Sequence, residues 1–214
     1  MKKSTAFYAA VVALFLSLST FLTSFGQESH GAILLNMVNS RMNYGDMNSS
    51  LKGHKKDVRG FQAGISWQAG FTKHFSIVTE AYFITKGGSI RANNPLDGIK
   101  SSLRLYTLEV PVLARFHAGR FYFNAGPFVN YIFSGKETSD AEGSQSISFG
   151  QKDFRKFEAG FQSGAGYQFK IKKTRLAVDL RYISGITSVS REEDLYNRTF
   201  NLSVLVLRSW KRKA

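Results

Sequence analysis

The stretch "EVPVLARFHAGRFYFNAGPFV", residues 109–129, decides how this chain folds. Two apolar runs alternate on either side of a short break at Ala118-Gly119, the pattern of a tight β-hairpin. The first arm nevertheless carries Glu109 and Pro111, and the second carries Pro127. Alternation puts Leu108, Val110, Val112, Ala114 and Phe116 on one face and Glu109, Leu113 and Arg115 on the other. A turn at Ala118-Gly119 then sets Leu113 near Asn124, Glu109 near Phe128, and the two prolines almost opposite each other. Proline withdraws a ladder donor and is tolerated at an edge or a bulge. A closed barrel has no edge, so closure implies a local bulge or bend at Pro111 and Pro127, with interior side chains or water taking the freed carbonyl. A soluble sandwich with this hairpin at its edge is the alternative.

The same period of two recurs along the chain. In "GFQAGISWQAGF" (60–71), Phe61, Ala63, Ile65, Trp67, Ala69 and Phe71 oppose glycine, serine and glutamine. In "FEAGFQSGAGYQF" (157–169) and "LAVDLRY" (176–182) an apolar face again opposes a small, polar or charged one. Eight strands are expected, at 31–39, 59–71, 75–87, 103–117, 120–134, 154–170, 175–186 and 197–207, and the first alternates least clearly. Most reach the roughly 9–11 tilted residues of a membrane-spanning strand. Long connections (40–58, 88–102, 136–153 and 187–196) alternate with tight ones at 72–74, 118–119 and 171–174, so all long loops fall at one end. This is the pattern of an all-β, eight-stranded antiparallel up-and-down transmembrane β-barrel.

The chain ends fit that compartment. Met1-Lys2-Lys3 precedes an apolar run from Ala6 to Leu22 and then Ser24-Phe25-Gly26, so residues 1–26 read as a signal peptide and residues 27–214 as one barrel domain. No later run is long and apolar, so a mature chain that enters a bilayer must do so as a closed barrel. There is no cysteine, which excludes a lipoprotein anchor, thiolate metal sites and disulfides. Losing Lys2 and Lys3 lowers the formal charge from +14 to +12. Export disfavours nucleic acid as a partner. The basic groups fall in separate clusters, at Lys52–Arg59, Lys170–Arg175 and Arg208–Lys213, and suit loops beside anionic headgroups or an anionic ligand.

An eight-stranded interior is filled by side chains. By parity Lys86, Arg115 and Arg181 point inward with Glu80, Glu109, Glu158 and Asp179, and an internal ion network is expected because unpaired buried charge is costly. The remainder of that face is glycine, serine and glutamine, too polar for a greasy ligand cup. Outward aromatics near strand ends, Phe71, Phe75, Phe116, Phe121, Phe133, Phe157, Phe169 and Trp210, are candidates for interface girdles. The histidines His30, His54, His74 and His117 show no ligand spacing, and none converges by parity with an inward serine. Neither a metal, a cofactor nor a catalytic site is expected.

The segments "SIVTEAYFITKGG" (76–88), "YTLEVPVLARF" (106–116), "GRFYFNAGPFVNYIFSGK" (119–136), "FEAGFQSGAGYQF" and "LAVDLRYISGIT" (176–187) resemble the PorT-like outer-membrane β-barrel domain of Bacteroidota. The Leu-Glu-Val-Pro and Asn-Ala-Gly-Pro pair is the most specific mark. The resemblance implies an eight-stranded outer-membrane barrel with Glu80, Glu109, Asp179 and Arg181 at the family's inward polar positions, and it implies no catalytic reaction. It also implies a terminal aromatic read by the barrel-insertion machinery; Trp210 has the right parity, but a basic Lys211–Ala214 extension follows it. The expected role is that of a small structural and interaction barrel in contact with outer-membrane lipid and lipopolysaccharide, whose loops serve adhesion, envelope integrity or docking to a partner such as an envelope or secretion complex. A narrow channel for small solutes and a soluble exported ligand-binding barrel are the alternatives.

Overall fold

A computed structural model describes residues 29–149, 154–171, 174–192 and 194–210, with side chains described for all but 29, 30, 171, 174 and 207–210. The expected signal peptide lies outside the described residues. Alternation along the sequence becomes strands β1 (Ser29–Asn43), β2 (Lys55–Lys56), β3 (Val58–Gly70), β4 (Phe75–Ile90), β5 (Ser101–Ala118), β6 (Phe121–Ser139), β7 (Gly143–Ser146), β8 (Phe157–Ile171), β9 (Thr174–Gly185) and β10 (Tyr196–Trp210). The eight long strands pair antiparallel in chain order, and β1 meets β10 from Ser29↔Trp210 to Asn43↔Tyr196, which closes the cylinder. Closure satisfies every edge within the sheet, the condition for crossing lipid with strands.

Several strands outrun their expected ends on the side of the long loops, whereas β8 starts at Phe157, short of the expected 154, where Phe154 makes an isolated bridge to Ser190, and β9 ends at Gly185. β4 continues to Ile90 and β5 starts at Ser101, paired with each other, while β6 reaches Ser139 and folds back through β7. The two-residue β2 adds Lys55↔Ile90 and Lys56↔Ser89 to the top of β4. At the opposite end the turns are short.

Two local readings of the opening hairpin are corrected. Ala118 pairs with Phe121, so the turn residues are Gly119-Arg120, with Gly119 at φ 67°, a conformation that favours glycine. The partners accordingly move two residues from the expected ones: Glu109 faces Asn130, and Arg115, rather than Leu113, faces Asn124. No bulge occurs at the prolines. On the β4–β5 side the ladder lapses between Thr79↔Val112 and Tyr82↔Glu109, and on the β5–β6 side between Pro111↔Phe128 and Ala114↔Ala125, with the register unchanged across both gaps. Pro111 and Pro127 thus each interrupt a different ladder over two residue pairs, and the long intact pairing on either side holds the strands in register. The irregularity of this hairpin lies higher, between Tyr106 and Thr107, where Phe133 is the extra residue.

Alternate residues fill the lumen. Gly64 lies opposite Tyr82, Gly164 opposite Arg181 and Gly166 opposite Asp179, so small residues make room for long ones. The lumen is less polar than the glutamine- and glycine-rich face suggests: Leu34, Val38, Ile84, Tyr122, Phe128, Ala177, Ile183 and Leu205 pack together inside. Leu34 and Val38 explain why β1 alternates poorly in sequence, since both its faces are apolar at this level.

Close packing makes the interior sensitive to added volume. A Cβ at Gly166 would run into the Tyr122 ring, whose hydroxyl donates to Asp179 at 3.0 Å. Gly166→Val is expected to destabilise the barrel by about 1–3 kcal/mol, the range for overpacking. Thermal unfolding in detergent reads this against Ser163→Val, an outward position on the same strand where little change is expected; equal unfolding temperatures would show that the interior accommodates the extra volume.

Candidate functional site

Glu80, Lys86, Glu109, Arg115, Glu158, Asp179 and Arg181 are all at most 3% exposed. Strands β4, β5, β8 and β9 bring them together in two tiers. In the tier nearer the long loops, Lys86 lies between Glu109 at 2.6 Å and Glu158 at 3.1 Å, with its ammonium 5.0 Å over the Phe128 ring. Glu109 also accepts hydrogen bonds from the Tyr82 hydroxyl at 2.6 Å and from Gln162 at 2.7 Å. Glu158 accepts from Asn130 at 2.6 Å and Asn197 at 3.0 Å.

The second tier centres on Arg181. Its guanidinium forks onto Glu80 at 2.5 and 2.9 Å and turns back to Asp179 at 3.0 Å. Asp179 in turn accepts from Tyr122 and from Asn124 at 2.9 Å, while Ser66 donates to Glu80 at 3.1 Å. Arg115 sits 4.2 Å over the Tyr122 ring, donates to Asn124 and Gln68 at 2.7 Å each, and comes within 4.0 Å of Asp179. Such multiply bonded charge is what burial demands.

Both ends of the lumen are covered. At the turn end, Ser76 and His117 are joined at 2.9 Å and Gln68 reaches the same imidazole nitrogen at 3.3 Å. This corrects the expectation that no histidine meets an inward serine: His117 lies diagonally across the ladder from Ser76, whose direct partner is Arg115. Ser76 is 1% exposed, which leaves a nucleophile no access to substrate. At the loop end, Met42, Leu103, Leu105, Ile132, Val189 and Leu195 form an apolar cap against which Ile147, Phe149 and Phe154 pack from the loops. Among the described residues, no group of three or more His, Cys, Asp and Glu is placed to hold a metal.

The outside is apolar. Ile33, Leu35 and Met37 of β1 are 66–74% exposed, a stripe that water would not tolerate but hydrocarbon would. Of the girdle candidates, Phe71, Phe75, Phe116, Phe121 and Phe169 gather at the turn end, where Phe71 and Phe75 lie 6.2 Å apart and Tyr167 bridges Phe121 and Phe169. Phe133 and Phe157 lie toward the loop end; the side chain of Trp210 lies outside the described residues. Sequence reasoning missed most of this second ring: Phe83 packs on Phe61, Tyr106 and Phe133, Tyr131 on Phe157, and Tyr182 on Phe200. Strand parity carries the signal for the missed rings, which lie outward but away from the strand ends.

Residues 25–191 match the model of a family described as an outer membrane protein β-barrel domain. No curated protein matches the chain. Among solved structures, the outer membrane protein OprG from Pseudomonas aeruginosa is 12% identical, with a TM-score of 0.49 over 87% of this chain and 97% of that one. Ail of Yersinia pestis, crystallised in complex with the heparin analogue sucrose octasulfate, is 16% identical, with a TM-score of 0.45 over 85% of this chain and 100% of that one. Neisserial surface protein A is 13% identical, with a TM-score of 0.45 over 82% and 96%.

Glu109 accepts from three donors, Lys86, Tyr82 and Gln162, so its removal strands all three. Glu109→Ala is expected to cost about 3–5 kcal/mol, the range for breaking a buried ion pair from one side. The measurement is the unfolding midpoint in detergent, with Lys86→Met added to Glu109→Ala as the second arm of a cycle. Recovery of part of the loss in the double variant marks a coupled pair; simple additivity would show that the two charges do not depend on each other.

Proposed function

The chain belongs to the outer membrane protein β-barrel domain family, and on that premise we propose that it is a closed structural and interaction barrel that acts through its extracellular loops and catalyses no reaction. It is a small eight-stranded protein of the outer membrane, embedded in lipid and lipopolysaccharide. The observation that carries the closed reading is the sequence of obstructions along the axis: the Ser76–His117–Gln68 floor, the Arg181 tier, the Lys86 tier and the apolar cap. Each tier spans strands that are not neighbours in the sheet, so a solute would have to displace ion pairs and not merely rotate a side chain.

The cap also explains why the loops suit a docking role. Ile147, Phe149 and Phe154 are anchored inward, which spends their apolar groups on the lumen and leaves the hairpin of β6 and β7 projecting with exposed, polar tips. A turn around Asn94, whose side chain bonds to Arg91 and Ile99 carbonyls at 3.0 and 2.8 Å, gives the 91–100 loop a defined shape. A soluble carrier is opposed by the apolar exterior. In this reading the barrel is PorT-like, residues 1–26 are a signal peptide removed on export, the barrel-insertion machinery reads the aromatic-rich last strand, and the loops meet an envelope or secretion complex.

Two measurements on the full protein test this. In cell fractions the protein should appear in the outer membrane and migrate faster unboiled than boiled. In planar bilayers it should give no stepwise conductance. Discrete ohmic steps from the wild-type protein would replace the closed reading with that of a narrow porin-like channel for small solutes.

A further inference from the structure

A cleft of about 540 Å³ on the outside of the wall, at the loop end of β1 to β4, is lined by Arg41, Lys55, Lys56, Arg59 and Arg91 against one carboxylate, Asp57. Arg41 continues the outward row of β1 above Ile33, Leu35 and Met37, and Arg59 continues that of β3 above Phe61 and Ile65. The cleft is therefore on the lipid-facing side and does not open from the lumen. Asp57 is engaged by Arg41 and by Asn39 at 2.6 Å, and Lys55 donates to the Asn48 side chain and, at 3.1 Å, to the Asn48 carbonyl. Lys56, Arg59 and Arg91 make no side-chain hydrogen bond or ion pair with a described residue. Crowding is felt by Lys55, whose ammonium is pushed below its ordinary pKa by burial and then by Arg41.

Height above the apolar stripe selects the occupant. At ~3.3 Å per residue along a tilted strand, Arg41 stands roughly 10 Å above Met37, the depth at which headgroups begin. An adjoining cavity of about 300 Å³ links Arg41 and Lys55 to Arg198 and to the outward rings of Tyr182 and Phe200. Cations above aromatics above aliphatics match a molecule with an anionic head and acyl chains. Guanidinium forks suit phosphate oxygens, and three unpartnered cations in one cleft exceed what a single carboxylate ligand needs.

We propose that this cleft binds the phosphorylated headgroup of an outer-leaflet lipid, with its acyl chains lying along the Met37–Phe61–Phe200 surface. The proposal rests on the membrane placement above but not on whether the lumen conducts. Lys56, Arg59 and Arg91 hold the phosphate, Arg41 and Asp57 brace each other beside it, and the free soluble anion lacks the lower half of the site.

The test is retention of diphosphoryl lipid A by the full protein in detergent, read by native mass spectrometry, with dephosphorylated lipid A and inorganic phosphate as separate probes. Wild-type protein should retain diphosphoryl lipid A, lose it on dephosphorylation, and hold inorganic phosphate no better than background. The triple variant Lys56→Gln/Arg59→Gln/Arg91→Gln should bind on the order of a hundredfold more weakly, as expected for three removed surface cations. Its unboiled gel shift should stay that of wild type, since none of the three braces the fold. Lys136→Gln, an exposed cation on β6, should leave retention unchanged. Equal retention of the dephosphorylated lipid, an unaffected triple variant, or an equal loss in Lys136→Gln would overturn the assignment. Phosphate binding without lipid would overturn it in favour of a soluble-anion site. The conductance assay is independent of every one of these outcomes, so failure here and failure of the closed-barrel reading are told apart.

Discussion

Charge held inside a wall whose outside is hydrocarbon has only the protein to solvate it. That constraint organises the lumen. Arg181 reaches Glu80 across 101 residues of sequence, from β9 to β4, strands that face each other across the eight-stave cylinder. Lys86 ties β4 to β8 through Glu158, and Gln162 ties β8 to both Tyr82 and Glu109. Ladder bonds join only neighbours and resist sliding; these cross-lumen bonds resist flattening. The two sets are complementary, because a ladder with no internal brace leaves the cross-section free to collapse and a braced lumen with open edges cannot enter lipid.

The same constraint explains why so much of the architecture was legible in sequence. A lipid-facing row must be apolar and a lumen row must be small, polar or paired, so the period of two survives along β3, β5, β8 and β9. Where both rows are apolar, as at Leu34 and Val38 beside Ile33 and Leu35, the signal fades. Parity also located the inward charges, since a Glu or Arg amid outward Leu and Val has one side to go. It could not assign partners, which depend on how strands curve around the cylinder. His117 and Ser76 show this, since their contact on the β4–β5 ladder is diagonal; on the β5–β6 ladder a one-residue difference in the turn at Gly119 moves the partner of Glu109 from Phe128 to Asn130.

The prolines show a different limit. Reading Pro111 and Pro127 as a bulge assumed that a missing donor must be absorbed by an extra residue. Instead, each proline interrupts one of the two ladders flanking β5, and continuous pairing above and below carries the strand across the gap. Gly126, beside Pro127, lets the chains approach closely there, since a Cβ would strike the Val112 carbonyl. The true bulge at Phe133 lies where the wall changes duty. Below it Phe133 joins the aromatic ring around Phe83, and above it Gly135 turns inward against Ile147 of the cap. An added residue shifts the parity of everything beyond it, which lets β6 serve the lumen below and the cap above.

That change of duty bears on where specificity resides. Below the cap, the inward charges Glu80, Lys86, Glu109, Arg115, Glu158, Asp179 and Arg181 are each held by a neighbour, and a substitution there acts on stability. Above the belt, the loop-end wall carries cations without partners among the described residues, and the same substitution leaves the barrel intact while changing what touches it. Asp57 marks the boundary: it neutralises Arg41 but reaches none of Lys56, Arg59 and Arg91. A single carboxylate placed among five cations keeps the rim from repelling itself apart, yet leaves enough positive charge to draw an anion from the surrounding leaflet. A fully paired rim would be stable and inert, and a rim with no acid would be strained; the observed imbalance is the arrangement that leaves work for an external anion to do.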